Sequence, residues 1–205
     1  KKVKSVVGAI KVSYAADWSE YHHTNGGWYH LDELWSSEYI DFVGIDSYFP
    51  LTDSAESEYD IAKIKYGWES GEGYEYYFDD QNKEYLSKEY AWKNIKWWWE
   101  NNHQNPNGFK TPWEPRAKKI WFTEYGFPSV DCCTNQPNVF LDHSSSESKL
   151  PKHSKGLVDY KAQRSAIAAT EEYWEASEMI ENKFLWCWDA RPYPYWPDNQ
   201  EIWSD

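Results

Sequence analysis

The chain has 205 residues, which is enough for one domain with a sizeable core. Its net charge of -13 at pH 7 excludes a protein that binds nucleic acid or an anionic membrane through basic residues. No apolar run approaches the roughly 20 residues that a membrane-spanning helix needs. Aromatic residues make up 20% of the sequence, more than such a core requires, so we expect the surplus to line a groove.

The first strand is predicted close to the start of the chain. Val3, Val6 and Val7 have helical spacing, and residues 11–15 have the composition of a short strand. A polar and aromatic loop follows, and it contains Asp17. An acidic residue therefore comes directly after the first predicted strand.

A helix over residues 31–39 and a second strand over residues 40–46 come next. This strand ends at Asp46, and Tyr48 lies two residues further on. Residues 51–115 form a long insertion that is acidic at first, and residues 83–101 within it have helical periodicity.

The third strand is the most clearly marked one. Residues 120–122 are apolar and lead straight to Glu124, and the chain turns at Gly126 and Pro128. A carboxylate is costly to bury at the end of such a strand unless it has a partner or a function.

The last helix and the last strand complete the predicted pattern. Residues 155–178 form the clearest helix, and residues 183–188 form a strand that ends with Trp188. Asp189 and Arg191 follow it, before three prolines close the regular structure.

Four strands, most of them separated by helical segments, predict an α/β fold with a parallel sheet. We expect a single domain over residues 1–205, of the (β/α)8 barrel type. The carboxyl ends of barrel strands form the active face. The acidic residues that end the strands should therefore meet at one rim: Asp17, Asp46, Glu124 and Asp189.

Each of these acids also has a purely structural interpretation. Asp17 can cap the following turn, and Asp46 can either cap a helix or take part in chemistry. Asp189 and Arg191 are more typical of an ion pair at the rim. Glu124 has apolar flanks and a well-marked strand, which favours a function at this position.

Two groups of histidines and cysteines do not predict a metal site. His22 and His23 are adjacent and have no third ligand at a useful spacing, so we expect a solvated loop there. Cys132, Cys133 and Cys187 provide neither a disulfide framework nor a metal-binding pair, so we expect free thiols. The sequence predicts no cofactor.

Several segments together resemble the TIM-barrel-like domain of gene transfer agent and phage tail proteins. They include the first loop, the second and third strands and the end of the last strand. The segments are residues 13–21, 30–32, 41–46 with Tyr48 and Pro50, 121–124, 135–140, 145–148 and 185–192.

That domain in turn resembles the clan A glycoside hydrolases. The resemblance implies that the four strands are strands five to eight of the barrel, with the long insertion after strand six. It also implies that Glu124 is the nucleophile of a retaining reaction, that Tyr48 holds its carboxylate and that Trp188 is an aromatic platform. Asp17, Trp18, Asp46, Asp189 and Arg191 are then expected to bind the substrate.

The strand-four segment that carries the acid/base residue in such enzymes is not in this sequence. We therefore expect the chain to cover about the C-terminal half of a barrel and to be inactive, or nearly so, by itself. A half-barrel exposes two sheet edges. It should pair with the missing N-terminal half or with a second copy.

The resemblance also implies where the protein acts. We expect a phage-like tail or virion particle, made in the bacterial cytoplasm, that contains other tail proteins and contacts a glycan of the cell envelope. A non-catalytic structural or glycan-binding module of a tail hub is the alternative, since fold does not fix function.

Overall fold

The structure is a computed structural model, and its elements alternate between strands and helices. It describes residues 1–69, 78–79, 84–85, 91–139, 141, 146 and 148–186. The helices are α1 (Lys2–Val7), α2 (Asp32–Trp35), α3 (Ile61–Tyr66), α4 (Ile95–Glu100) and α5 (Tyr160–Trp174). The strands are β1 (Ala15–Asp17), β2 (Val43–Ser47), β3 (Phe78–Asp79), β4 (Glu84–Tyr85), β5 (Ile120–Tyr125) and β6 (Ile180–Leu185).

Four of the strands form one parallel sheet in the order β1-β2-β5-β6. Helical segments lie between consecutive strands of this sheet, as parallel pairing requires. The α/β class and the parallel sheet predicted from the sequence are confirmed. β1 and β6 are the two edges, and the four strands do not close into a barrel within the described part of the chain.

One face of the sheet packs on helices and forms the core. Val43 and Ile45 from β2 and Ile120 and Phe122 from β5 are fully buried there. These residues alternate along each strand, so they project from the same face. α5 contributes four small residues and one large one to this core. Its buried residues are Ala162, Ala166, Ala169, Thr170 and Trp174.

The other face of the sheet carries aromatic side chains that are only partly covered. The Trp121 ring stacks on Phe42 at 3.9 Å between ring centroids and lies 5.8 Å from Phe184. Phe184 is 49% exposed and Trp186 is 58% exposed. Parallel sheets are normally covered on both faces, so this face is suited to contact with another structural unit.

Several predicted boundaries are wrong. The first strand was expected at residues 11–15, but β1 covers Ala15–Asp17. Among the described residues of the helix expected over residues 83–101, the helical ones are those of α4, Ile95–Glu100. Part of that expected helix is β4, which pairs with β3 in a short antiparallel hairpin. The pairing between strands overrides the helical periodicity of the local sequence.

The prediction of a solvated loop at His22 and His23 is also wrong. His22 is 1% exposed and His23 is 2% exposed, and their Nδ1 atoms are 3.0 Å apart. Both rings lie among aromatic side chains, with Tyr29 close to each of them. The aromatic surplus of the sequence therefore builds a buried layer around the histidines.

The remaining sequence predictions concern cysteines and membranes. Cys132 and Cys133 are free thiols, both buried, whereas Cys187 lies outside the described residues. Among the helices that the structure describes, none has the length and apolar character needed to cross a bilayer.

Candidate functional site

Three of the four predicted rim carboxylates lie together at the carboxyl end of the sheet. Asp17 in β1 is the register partner of Asp46 in β2, and Asp46 is the register partner of Glu124 in β5. Adjacent strands lie about 4.8 Å apart, so the three residues form a row across three strands. These three acids therefore lie at one rim of the sheet, as the sequence predicts.

An irregularity in β5 brings two consecutive polar residues to this end of the sheet. The register between β2 and β5 shifts after Ile45, so that Thr123 is the extra residue before Glu124. Thr123 Oγ1 donates a hydrogen bond of 2.7 Å to Asp46 Oδ1. A bulge of this kind redirects side chains, and bulges are frequent beside active sites.

Glu124 forms a hydrogen bond with a tyrosine in the loop that follows the neighbouring strand, β2. Tyr48 Oη donates a hydrogen bond of 2.7 Å to Glu124 Oε2. Tyr48 follows directly after the end of β2, and both side chains are half-buried. A hydrogen bond to an ionised carboxylate is stronger than one between neutral groups and fixes the orientation of the acid.

The environment of Asp46 favours its protonated form. Burial raises the pKa of the Asp46 carboxyl, and the nearby charges of Glu124 and Asp17 raise it further. The hydrogen bond from Thr123 acts in the opposite direction and lowers that pKa. A half-buried acid beside a second carboxylate is typical of sites that transfer protons or bind hydroxyl groups.

Asp17 and Trp18 are placed less favourably for binding a substrate. Asp17 Oδ1 accepts hydrogen bonds from Ser19 N at 2.8 Å and Ser19 Oγ at 2.5 Å, which is a local turn. The Trp18 ring is 7% exposed and packs edge-on against Phe49 and Trp92. Little of that ring is left to contact a sugar.

The other predicted substrate-binding residues are Trp188, Asp189 and Arg191, and they lie outside the described residues. They follow the end of β6, which pairs with β5. The structure therefore describes Glu124, Tyr48, Asp17, Trp18 and Asp46 of the predicted site.

Sequence reasoning missed Thr123, and it identified Gly126 as a turn without its role in the packing of the site. Thr123 positions Asp46, but a bulge depends on pairing between strands and has no clear local signal. At Gly126, an added Cβ atom would lie 2.1 Å from the backbone oxygen of Trp186. A glycine after a strand-end acid is a readable signal for such a close approach of two backbones.

The chemistry available to this site is that of carboxylates. Across the described ranges, no ion pair joins a Lys or Arg to Asp17, Asp46 or Glu124. Within those same ranges, no group of three His, Cys, Asp or Glu residues could hold a metal ion. An oriented carboxylate at a strand end can act as a nucleophile, as a base or as an acceptor for substrate hydroxyls.

A parallel α/β sheet with acidic residues in a row at its carboxyl end fits the TIM-barrel-like class of proteins. The family described as GTA TIM-barrel-like domain matches residues 1–197, and the chain belongs to this family of gene transfer agent domains. A comparison with curated protein sequences found no significant match. The family indicates that the protein is part of a gene transfer agent, which is a virion-like particle.

Proposed function

We propose that the chain is a glycoside hydrolase-like domain of a gene transfer agent or phage tail protein, and that it acts on a cell-envelope glycan. The observation that supports this proposal best is the 2.7 Å hydrogen bond from Tyr48 to Glu124 at the carboxyl end of the sheet. The phenol orients one carboxylate oxygen and leaves the other one available for reaction.

In the proposed retaining mechanism, Glu124 attacks the anomeric carbon as the bond to the leaving oxygen breaks. The leaving oxygen takes a proton from an acid/base residue, which we assign to a segment outside this chain. Water then releases the sugar from Glu124 and returns the proton to that residue. Asp46 lies one strand away from Glu124, where its carboxyl can accept hydrogen bonds from sugar hydroxyls.

The open sheet supports a proposal about the partner of this domain. β1 and β6 each present an unpaired edge within the described part of the sheet, and Phe184, Leu185 and Trp186 are about half exposed beside one of them. We propose that a second barrel half or a second copy of the chain covers this face. Edge strands and exposed apolar patches are both typical of such contacts.

A non-catalytic function is the alternative, and two observations favour it. Trp18 is buried and Asp17 is engaged in a local turn, so two of the expected substrate contacts are already used in the fold. In this alternative the domain is a structural or glycan-binding part of the tail hub. In both cases we propose that the protein is made in the bacterial cytoplasm and acts at the envelope as part of the particle.

The experiment compares the full-length protein with its Glu124→Gln variant on purified envelope glycans. We expect the wild type to release soluble sugars and the variant to lose at least about 1,000-fold in rate, because the nucleophile is gone. Glu33→Gln is the matched control, since Glu33 is exposed on α2. Equal rates for wild type and Glu124→Gln would refute the nucleophile, and glycan binding without release would support the alternative.

A further inference from the structure

A buried amide side chain joins the loops that follow β2 and β5 at the carboxyl end of the sheet. Asn135 is 4% exposed and lies in the segment after β5. Its Oδ1 accepts hydrogen bonds from Thr52 Oγ1 at 2.6 Å and from Ser54 N at 3.1 Å. Its Nδ2 donates to the backbone oxygens of Ser54 and Lys152, both at 2.8 Å. The two donor and two acceptor positions of the amide are therefore all used.

Thr134 connects the same two loops. Its backbone oxygen accepts hydrogen bonds from Leu51 N at 2.8 Å and from Thr52 N at 3.3 Å. Its hydroxyl oxygen lies 2.7 Å from that of Thr52, and the residue is 1% exposed. Buried hydrogen bonds are costly to break, because each broken one leaves a polar group unpaired away from water. We call residues 51–54, Thr134 and Asn135 the loop clasp.

The loop clasp lies close along the chain to Tyr48, which follows the last residue of β2 and so is not part of the strand pairing. Two residues separate Tyr48 from Leu51. Phe49 is 1% exposed, and the Pro50 ring fixes its own backbone angle and restricts that of Phe49. The buried Lys93 Nζ donates a hydrogen bond of 3.2 Å to the backbone oxygen of Pro50. This short segment has little conformational freedom, so the position of the clasp determines where the phenol lies.

Glu124 is positioned in a different way. It lies within β5, which pairs with β2 on one side and with β6 on the other. The sheet therefore positions the carboxylate, and the loop positions the phenol that donates to it at 2.7 Å. A shift of the loop by about 1 Å would lengthen this bond beyond the range of a good hydrogen bond.

We propose that Asn135 is a positioning residue, which holds the Tyr48 phenol against Glu124 by fixing the loop after β2 to the loop after β5. This inference rests on the proposed function, because Tyr48 and Glu124 belong to the site of that function. The position requires an amide, since an aspartate would direct a carboxylate oxygen at the backbone oxygens of Ser54 and Lys152.

The test follows the Tyr48 phenol by NMR in the full-length protein labelled with ¹³C at the tyrosine ζ carbon, whose signal depends on the hydrogen bond of the phenol. Loss of one signal in Tyr48→Phe identifies it. Glu124→Gln gives its position when the charged acceptor is absent. In Asn135→Ala we expect the Tyr48 signal to move from its wild-type position towards that in Glu124→Gln. An unchanged Tyr48 signal in folded Asn135→Ala would overturn the proposal.

Asn101→Ala is the matched control for this spectrum. Asn101 Nδ2 donates a similar hydrogen bond of 2.9 Å to the backbone oxygen of Trp97 at the end of α4, and its loss should leave the Tyr48 signal in place. An equal shift in Asn101→Ala would also overturn the proposal. If Asn135→Ala does not fold, Thr52→Val decides by the same criterion, because it removes a hydroxyl of the clasp and nearly preserves the shape of the side chain.

A double-mutant cycle connects this role to the proposed reaction. Asn135→Ala should slow glycan release by up to about 10- to 100-fold, the loss expected for Tyr48→Phe, and mainly through kcat. In the Tyr48→Phe background the same replacement should cause little further loss, because both act on one hydrogen bond. Equal losses in the two backgrounds would contradict the role of Asn135. A protein that shows the Tyr48 shift but releases no glycan would refute the proposed function and support the positioning role.

Discussion

The carboxyl end of the sheet and the buried histidine layer, which contains His22, His23 and His103, both contain acidic residues but give them different partners. At the sheet end, Asp17, Asp46 and Glu124 lie side by side, and they accept hydrogen bonds from the hydroxyl groups of Ser19, Thr123 and Tyr48. In the histidine layer, Asp32 is 1% exposed and bonds to His103.

The partners of the acids differ between the two regions. A buried carboxyl group needs hydrogen-bond partners, and His103 and Thr111 provide them to Asp32 inside the fold. Neighbouring carboxylates at the end of the sheet repel one another instead, and the function proposed above gives this arrangement a ligand. The following predictions test this contrast, beginning with the largest expected effect.

Replacing Asp32 by Ala should lower the free energy of unfolding by about 3–5 kcal/mol, because it leaves His103 buried without its partner. Urea unfolding of wild type and variant measures the effect. Glu172→Ala is the matched control, since it breaks an exposed 3.3 Å ion pair with Lys65 and should cost at most about 1 kcal/mol. Equal losses in the two variants would contradict the account of the buried pair.

Acidification should destabilise the histidine layer through His23. Burial lowers the pKa of His23 from 6.5 to about 4, with a smaller effect from His30. The folded state therefore resists protonation, and stability is lost as pH falls from about 6.5 towards about 4, by up to about 3 kcal/mol. In His23→Gln this part of the pH dependence should disappear, whereas exposed His153→Asn should retain it. An unchanged pH dependence in His23→Gln would rule out this assignment.

Tyr48→Phe should slow glycan release by about 10- to 100-fold, because it removes one hydrogen bond to a charged group. The unfolding free energy should change little by comparison. Tyr59→Phe is the control, since Tyr59 makes a similar 2.8 Å bond to Asp159 but lies on the surface away from Glu124. If both variants lose the same activity, the bond to Glu124 has no special role.

Thr123→Val should raise the pKa of Asp46 further, because the Thr123 hydroxyl stabilises the charged form of that carboxyl. The carboxyl carbon signal of Asp46, followed by NMR during a pH titration, measures the change. Ser19→Ala removes a hydrogen bond to Asp17 instead and should affect Asp46 much less. A lowered or unchanged pKa in Thr123→Val would show that the bulge does not position Asp46.

More of the candidate site than of the histidine layer could be predicted from the sequence. β2 and β5 are marked by local apolar runs, and the acids that follow them lie within two residues of the strand ends. Parallel strands bring their carboxyl ends to one edge of a sheet, and the pairing of β2 with β5 then places Asp46 beside Glu124. The partner of Glu124, Tyr48, came from the resemblance to a family and not from spacing.

The histidine layer could not be predicted because its contacts join distant parts of the chain. Asp32 and His103 are 71 residues apart, and Tyr29 packs on the same ring. Adjacent histidines in a polar segment indicate a solvated loop by local rules, and only the packing of the aromatic residues around them reverses that expectation. The pairing of β3 with β4 is local, and it was missed because the helical periodicity of residues 83–101 was given more weight than strand formation.

The most direct test of the central claim is to trap the sugar on its nucleophile. The full-length protein is incubated with 2-fluoro glycosides of envelope sugars, digested and analysed by mass spectrometry. We predict one sugar attached to the peptide that contains Glu124, and no adduct in Glu124→Gln. A protein that releases sugar from the glycan but carries its adduct on another residue, or forms none, would contradict the account.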